Sequence, residues 1–265
     1  MDNRPIGIFD SGIGGLTVFK ELRELLPEQS IIYLGDTARV PYGSKNRETI
    51  IGYAHDDVDF LCRFNVKAIA VACNTVDSNA TDYLSSLGLP IFHLIEPTCM
   101  HAVKVSENKK IGVIATPATV KTGRYQSIIK EIDKDVEVYA AGCEKLTGYA
   151  EAGRFDADDQ EVYEYVNDCL KPLKEAGIDT LILGCTHYPL LTAVIKKCLP
   201  EVKIVSSSKQ AAYSTYEGLK ANGLLPDNTE ALYWFYTSGD ILTFKDVASK
   251  ILDKDLLTDI SHVDL

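Results

Sequence analysis

Thr180-Leu181-Ile182-Leu183-Gly184-Cys185-Thr186-His187-Tyr188-Pro189-Leu190-Leu191 is the stretch on which the fold turns. A short apolar run stops at a glycine and presents a thiol. The chain then turns into a helix with proline near its first turn. The same grammar occurs upstream, where Ala68-Ile69-Ala70-Val71-Ala72 ends in Cys73-Asn74-Thr75. Both runs read as buried strands whose ends carry a cysteine beside hydroxyl or amide groups.

Working outward, apolar runs and helical stretches alternate along the chain. Strands are expected at Ile6–Phe9, Ile31–Leu34, Ile91–Leu94, Ile111–Ala115, Glu137–Ala141, Val202–Val205 and Leu232–Tyr236. The longer helices are expected over Leu16–Leu26, Lys45–Phe64, Val76–Leu87, Ala118–Ile132, Asp158–Ala176, Leu190–Cys198, Lys209–Asn222 and Phe244–Ile251. Residues 144–157, with two glycines, read as a loop with a helical turn. This alternation predicts an α/β fold of mostly parallel sheets flanked by helices. Gly7-Ile8-Phe9-Asp10-Ser11 is echoed by Gly112-Val113-Ile114-Ala115-Thr116, in the same order as the two cysteine strands. Two pseudosymmetric domains are therefore expected, residues 1–97 plus 210–265 and residues 98–209, with the active site in the cleft between them.

Composition narrows the function. The 265 residues are 46% hydrophobic and 25% charged, which suits a packed core. A formal charge of −11 argues against direct nucleic-acid binding and against an acidic membrane surface. The N-terminal stretch has the pattern of neither a signal peptide nor a membrane span, and seven scattered cysteines suit a reducing compartment, so a cytoplasmic location is expected. Gly12-x-Gly14-Gly15 is not the dinucleotide pattern, and no Gly-Lys-Ser/Thr follows. It reads as a tight turn that lets a ligand or a neighbouring element approach the backbone.

Ligands of parallel α/β sheets bind beyond the carboxyl ends of the strands. Asp10, Asp36, Cys73, Thr116, Cys143 and Cys185 all stand at such ends. A thiolate facing one side of a carbon acid and a thiol facing the other would remove and return a proton with inversion, with no cofactor. Asn74, Thr75 and Thr186 offer donors for a carboxylate, and Asp10 and His187 are candidates for setting thiol protonation. Tyr42, in Pro41-Tyr42-Gly43, fits either a turn or a binding loop. Cys62, Cys169 and Cys198 fall on expected helices and read as packing residues; Cys143 reads as structural. No second Cys or His pair has ligand spacing, so no metal is expected.

Phe9-Asp10-Ser11-Gly12-Ile13-Gly14-Gly15-Leu16-Thr17-Val18, Pro41-Tyr42-Gly43, Ala72-Cys73-Asn74-Thr75 and Gly184-Cys185-Thr186-His187-Tyr188-Pro189-Leu190-Leu191 together resemble the cofactor-independent glutamate racemases of the aspartate/glutamate racemase superfamily, over essentially the whole chain. The resemblance implies interconversion of L- and D-glutamate, a supply of D-glutamate for peptidoglycan and a homodimer. Carried over by position, Cys73 and Cys185 are the acid/base pair, the first working on the D-enantiomer and the second on the L-enantiomer. Asp10, Ser11, Tyr42, Gly43, Asn74, Thr75, Thr186 and His187 match substrate-contacting positions, and Pro41 and Thr116 lie beside them. Glu151 matches a glutamate that assists His187. The sequence departs from the family pattern at Val76-Asp77, at Glu144-Lys145-Leu146-Thr147-Gly148 and at Ser206. Those departures leave open another substrate, such as aspartate, or a non-catalytic binding protein.

Overall fold

The computed structural model describes residues 2–227 and 230–265. In chain order the elements are β1 (Ile6–Asp10), α1 (Leu16–Leu25), β2 (Ile31–Gly35), α2 (Arg47–Cys62), β3 (Ala68–Val71), α3 (Asn74–Asn79), α4 (Thr81–Ser85), β4 (Ile91–Phe92), α5 (Ile95–Val105), β5 (Lys110–Ala115), α6 (Pro117–Thr122) and α7 (Arg124–Ile132). Then follow β6 (Glu137–Gly142), α8 (Glu144–Glu151), α9 (Gln160–Ala176), β7 (Thr180–Gly184), α10 (Thr192–Cys198), β8 (Lys203–Ser206), α11 (Ser207–Ala221), β9 (Tyr233–Thr237), α12 (Ile241–Ala248) and β10 (Ile260–His262).

Two sheets result, with strand orders β10-β9-β2-β1-β3-β4 and β6-β5-β7-β8. Every described strand pair is parallel. The inner strands β1, β2, β3 and β7 are buried along their whole length, as strands covered by helices on both faces must be. That is why they read as continuous apolar runs rather than alternating ones. The C-terminal segment returns to the first sheet, where β9 pairs with β2 (Gly35 opposite Thr237). Among the described residues, no helix is long and apolar enough to cross a membrane.

Several elements depart from expectation for definable reasons. The expected helix over 76–87 is two, α3 and α4, broken at Ala80. That over 118–132 is also two, because Gly123 (φ +66°) ends α6 in the left-handed conformation. Residues 144–151, expected in a loop, form α8. Pro97, beside the expected domain boundary, is the third residue of α5, where the missing N–H is not needed. Cys62, expected in packing, is exposed at the end of α2, whereas Cys198 is buried.

The first sheet's core is aromatic on the side of the returning strand. Phe235 of β9 is fully buried, with its ring 5.0 Å from that of Phe19 on α1 and 6.2 Å from that of Tyr33 on β2. Phe235→Ala empties this contact, and we expect a loss of about 3–5 kcal/mol of stability in urea unfolding. An unchanged unfolding midpoint would show that the C-terminal strand does not support the first sheet.

Candidate active site

β3 ends at Val71, and Cys73 becomes the N-cap of α3; β7 ends at Gly184, and Cys185 follows at once. The two cysteines thus come from the strand ends of different sheets, yet they line a single small cavity. Both are nearly buried, at 3% and 6% exposure. The Cys73 sulfur lies 3.8 Å from the Ser11 hydroxyl. That of Cys185 lies 3.5 Å from His187 Nδ1 and 3.9 Å from the Thr147 hydroxyl. Burial, reinforced by the nearby charge of Asp10, pushes the Cys73 thiol well above its ordinary pKa.

Asp10 closes β1 and is fully buried. Its Oδ2 accepts the N–H groups of Gly12 (3.2 Å) and Gly15 (2.9 Å), and its Oδ1 accepts the Thr186 hydroxyl (3.3 Å). Burial raises its pKa, against the opposing pull of the His187 charge and the two glycine N–H groups. The glycine-rich turn serves the close approach of a neighbouring element. A Cβ on Gly12 would collide with the Glu151 carboxylate, and one on Gly14 with the His187 ring.

His187 is buried between the two halves of an ion relay. Its Nδ1 faces Cys185, and its Nε2 meets Glu151 Oε1 at 2.6 Å; the same oxygen accepts the N–H of Ile13 at 2.9 Å. Burial alone would lower the imidazole pKa. The Cys185 sulfur and the Glu151 carboxylate outweigh it and hold His187 well above the ordinary range. Glu151, at the end of α8, does not line the cavity; it approaches His187 from behind.

Asn74 and Thr75 sit on the wall between the sheets. Asn74 accepts the Tyr125 hydroxyl at 2.6 Å and donates to Ser207 at 3.1 Å, and the hydroxyls of Thr75 and Thr116 are 3.0 Å apart. Tyr42 and Gly43 also line the cavity, but the Tyr42 hydroxyl is taken up by Asp36 and, at 3.2 Å, by Asp57. Pro41 is exposed and does not line the cavity; it precedes that turn through a cis bond to Val40.

The structure therefore brings to one cavity Asp10, Ser11, Tyr42, Gly43, Cys73, Asn74, Thr75, Thr116, Cys185, Thr186 and His187, leaving Pro41 and Glu151 outside its lining. Thr147 also lines the cavity, although it was not among the expected site residues. Its signal was its place in the 144–148 stretch, where the sequence departs from the family pattern. Among the described residues, no group of three or more His, Cys, Asp or Glu side chains is placed to hold a metal ion.

The chemistry such a cavity permits is proton transfer at a small polar molecule: two sulfurs, one imidazole backed by a carboxylate, and several hydroxyl and amide groups. Known proteins similar to this chain are glutamate racemases. A glutamate racemase from Sulfurihydrogenibium sp. (strain YO3AOP1) is 50% identical over 208 residues, covering 77% of this chain and 78% of that one. The crystal structure of a glutamate racemase isoform from Bacillus anthracis superposes with a TM-score of 0.93 at 36% identity, covering 100% and 99% of the two chains. That of the Francisella tularensis glutamate racemase in complex with D-glutamate gives 0.90 at 37% identity, covering 100% and 98%. The family model for Asp/Glu/hydantoin racemases matches residues 14–214. The chain belongs to the Asp/Glu/hydantoin racemase family.

Proposed function

We propose that the protein interconverts L- and D-glutamate by proton transfer between two thiols, without a cofactor. The observation that carries this reading is the pair of cysteines, delivered by two different sheets to one small polar cavity. One sulfur, as thiolate, takes the α-proton and becomes a thiol. The C–H electron pair stays on the α-carbon, and the opposite thiol gives that carbon its proton, becoming a thiolate. Proton loss and gain balance, and only the configuration changes. Cys73, whose thiol form is strongly favoured by burial, fits the donor role at rest. His187 faces the Cys185 sulfur, and its raised pKa suits it to hold a proton that can pass across the 3.5 Å between them. Hydroxyls of Ser11, Thr75 and Thr186 and the Asn74 amide supply hydrogen bonds for an amino acid's carboxylate and ammonium groups.

The resemblance and the similarity to named glutamate racemases support glutamate as the substrate. On the same basis we take the protein to be a cytoplasmic homodimer that supplies D-glutamate for peptidoglycan, its two lobes formed by residues 1–97 with 210–265 and by residues 98–209.

In deuterated water, L-glutamate is expected to yield D-glutamate carrying deuterium at the α-carbon, read by proton NMR and chiral chromatography. Cys73→Ala and Cys185→Ala are each expected to lower kcat by about 10²–10⁴-fold. Full turnover by either variant would sink the two-thiol mechanism.

Glu151→Gln tests the relay. The His187 pKa is raised in the folded protein, so the imidazolium persists below that pKa and is lost as pH rises through it. Removing Glu151 removes one of the raising partners. The alkaline limb of kcat/KM, and the His187 ring titration by NMR, are therefore expected to move to lower pH. A limb that stays in place would detach Glu151 from the proton path.

A further inference from the structure

Asp77 is one of the positions at which the sequence departs from the family pattern. It is buried, at 2% exposure, in α3, the short helix that Cys73 caps. Its backbone N–H closes the first turn on the Cys73 carbonyl at 2.9 Å. Its carboxylate, however, leaves this helix. Oδ2 accepts the N–H groups of Leu94 (3.0 Å) and Ile95 (2.9 Å), and Oδ1 meets Nδ1 of His93.

Leu94 is the N-cap of α5 and has no side chain able to accept a hydrogen bond. The cap is supplied instead by a carboxylate from another helix, where negative charge is favoured. The place matters because β4 is the last strand of the six-stranded sheet, whereas α5 packs on β7 and β8 of the four-stranded one. His93-Leu94-Ile95 is thus the passage from one sheet to the other, and Asp77 fastens the Cys73 helix to it. A second tie runs parallel: the Tyr125 hydroxyl of α7, which packs on α5, donates to Asn74 at the start of the same helix. The helix that begins at Cys73 is held at both of its turns to the layer that carries Cys185.

We propose that Asp77 is a positioning residue, which sets the Cys73 thiol against the Cys185 side of the cavity by clamping α3 to the start of α5. The proposal rests on the two-thiol reading. Proton transfer needs the reacting atoms near 3–3.5 Å, and a shift of about 1 Å costs roughly 10²-fold in rate. Cys73 is one helical turn from Asp77, so a tilt at the clamp is carried to the sulfur. Without the carboxylate, two buried N–H groups lose their acceptor, and the two layers are free to part at that point.

The test compares Asp77→Leu with Asp77→Asn. An asparagine oxygen still accepts both N–H groups and its amide donates to neutral His93, so Asp77→Asn is expected to racemise within about twofold of the parent. Asp77→Leu is expected to lose about tenfold or more in kcat/KM, corrected to folded protein by circular dichroism. Because racemisation has an equilibrium constant of one, that loss is equal in both directions. The diagnostic readout is the primary isotope effect with α-deuterated substrate. It rises for the enantiomer whose proton Cys73 removes, assigned above to D-glutamate, and falls for the other, because the Cys73 step has become more limiting. A stabilising cap alone would lower the melting temperature and leave both isotope effects where they were; that result, or an asparagine as damaging as leucine, overturns the proposal. Should Asp77→Leu fail to fold, His93→Leu, which frees Oδ1 but keeps both backbone bonds, is expected to move the isotope effects in the same directions by less. No movement there overturns the proposal too. Full turnover by Cys73→Ala would instead defeat the two-thiol reading itself, so the two failures are told apart.

Discussion

A buried carboxylate holds the two sheets to each other at the place where the chemistry is proposed. Asp10 has no exposure to solvent, and an ionised carboxylate in such a place is tolerated only with hydrogen-bond donors around it. Two of its donors are N–H groups of its own glycine turn, and the third is the Thr186 hydroxyl from the opposite sheet. The Thr17 hydroxyl repeats the pattern one turn further on, within 2.9 Å of the Thr186 carbonyl and 2.6 Å of the Ser208 hydroxyl. The strand ends of the two sheets are thereby joined through polar contacts that stay satisfied only while the sheets face each other.

The same junction organises charge. Glu151 comes from α8, beside the four-stranded sheet, yet its Oε1 accepts the Ile13 N–H from the glycine turn of the other sheet while meeting His187. The imidazole pKa is thus raised by partners whose placement depends on both sheets. The Asn74 and Asp77 ties work likewise on the other side of the cavity. A protein of formal charge −11 need not be electropositive overall to handle an anionic substrate; the local donors are built in at the junction.

Much of this was legible in the chain. Buried parallel strands appear as short apolar runs, so the positions of Cys73 and Cys185 at strand ends, and the glycine turn after Asp10, could be read directly. What escaped were features where one local signal competes with another. Pro97 reads as a break, but it is harmless in the first turn of α5. Gly123 falls inside a periodic stretch, yet its positive φ splits that stretch in two. Gly148 lowers the helical signal of α8, whose packing nevertheless buries Leu146, Thr147, Tyr149 and Ala150.

The α/β class, the two matching cysteines and the residue types around them are readable from the chain, because strand burial and turn chemistry are local properties written as apolar runs and glycines. Tertiary structure alone decided that both thiols share one cavity, that the Tyr42 hydroxyl is held by Asp36 and Asp57, and that Asp77 caps a helix not its own. These are contacts between residues far apart in the chain. Their partners are chosen by how the two sheets pack, and no local pattern of residues encodes that choice.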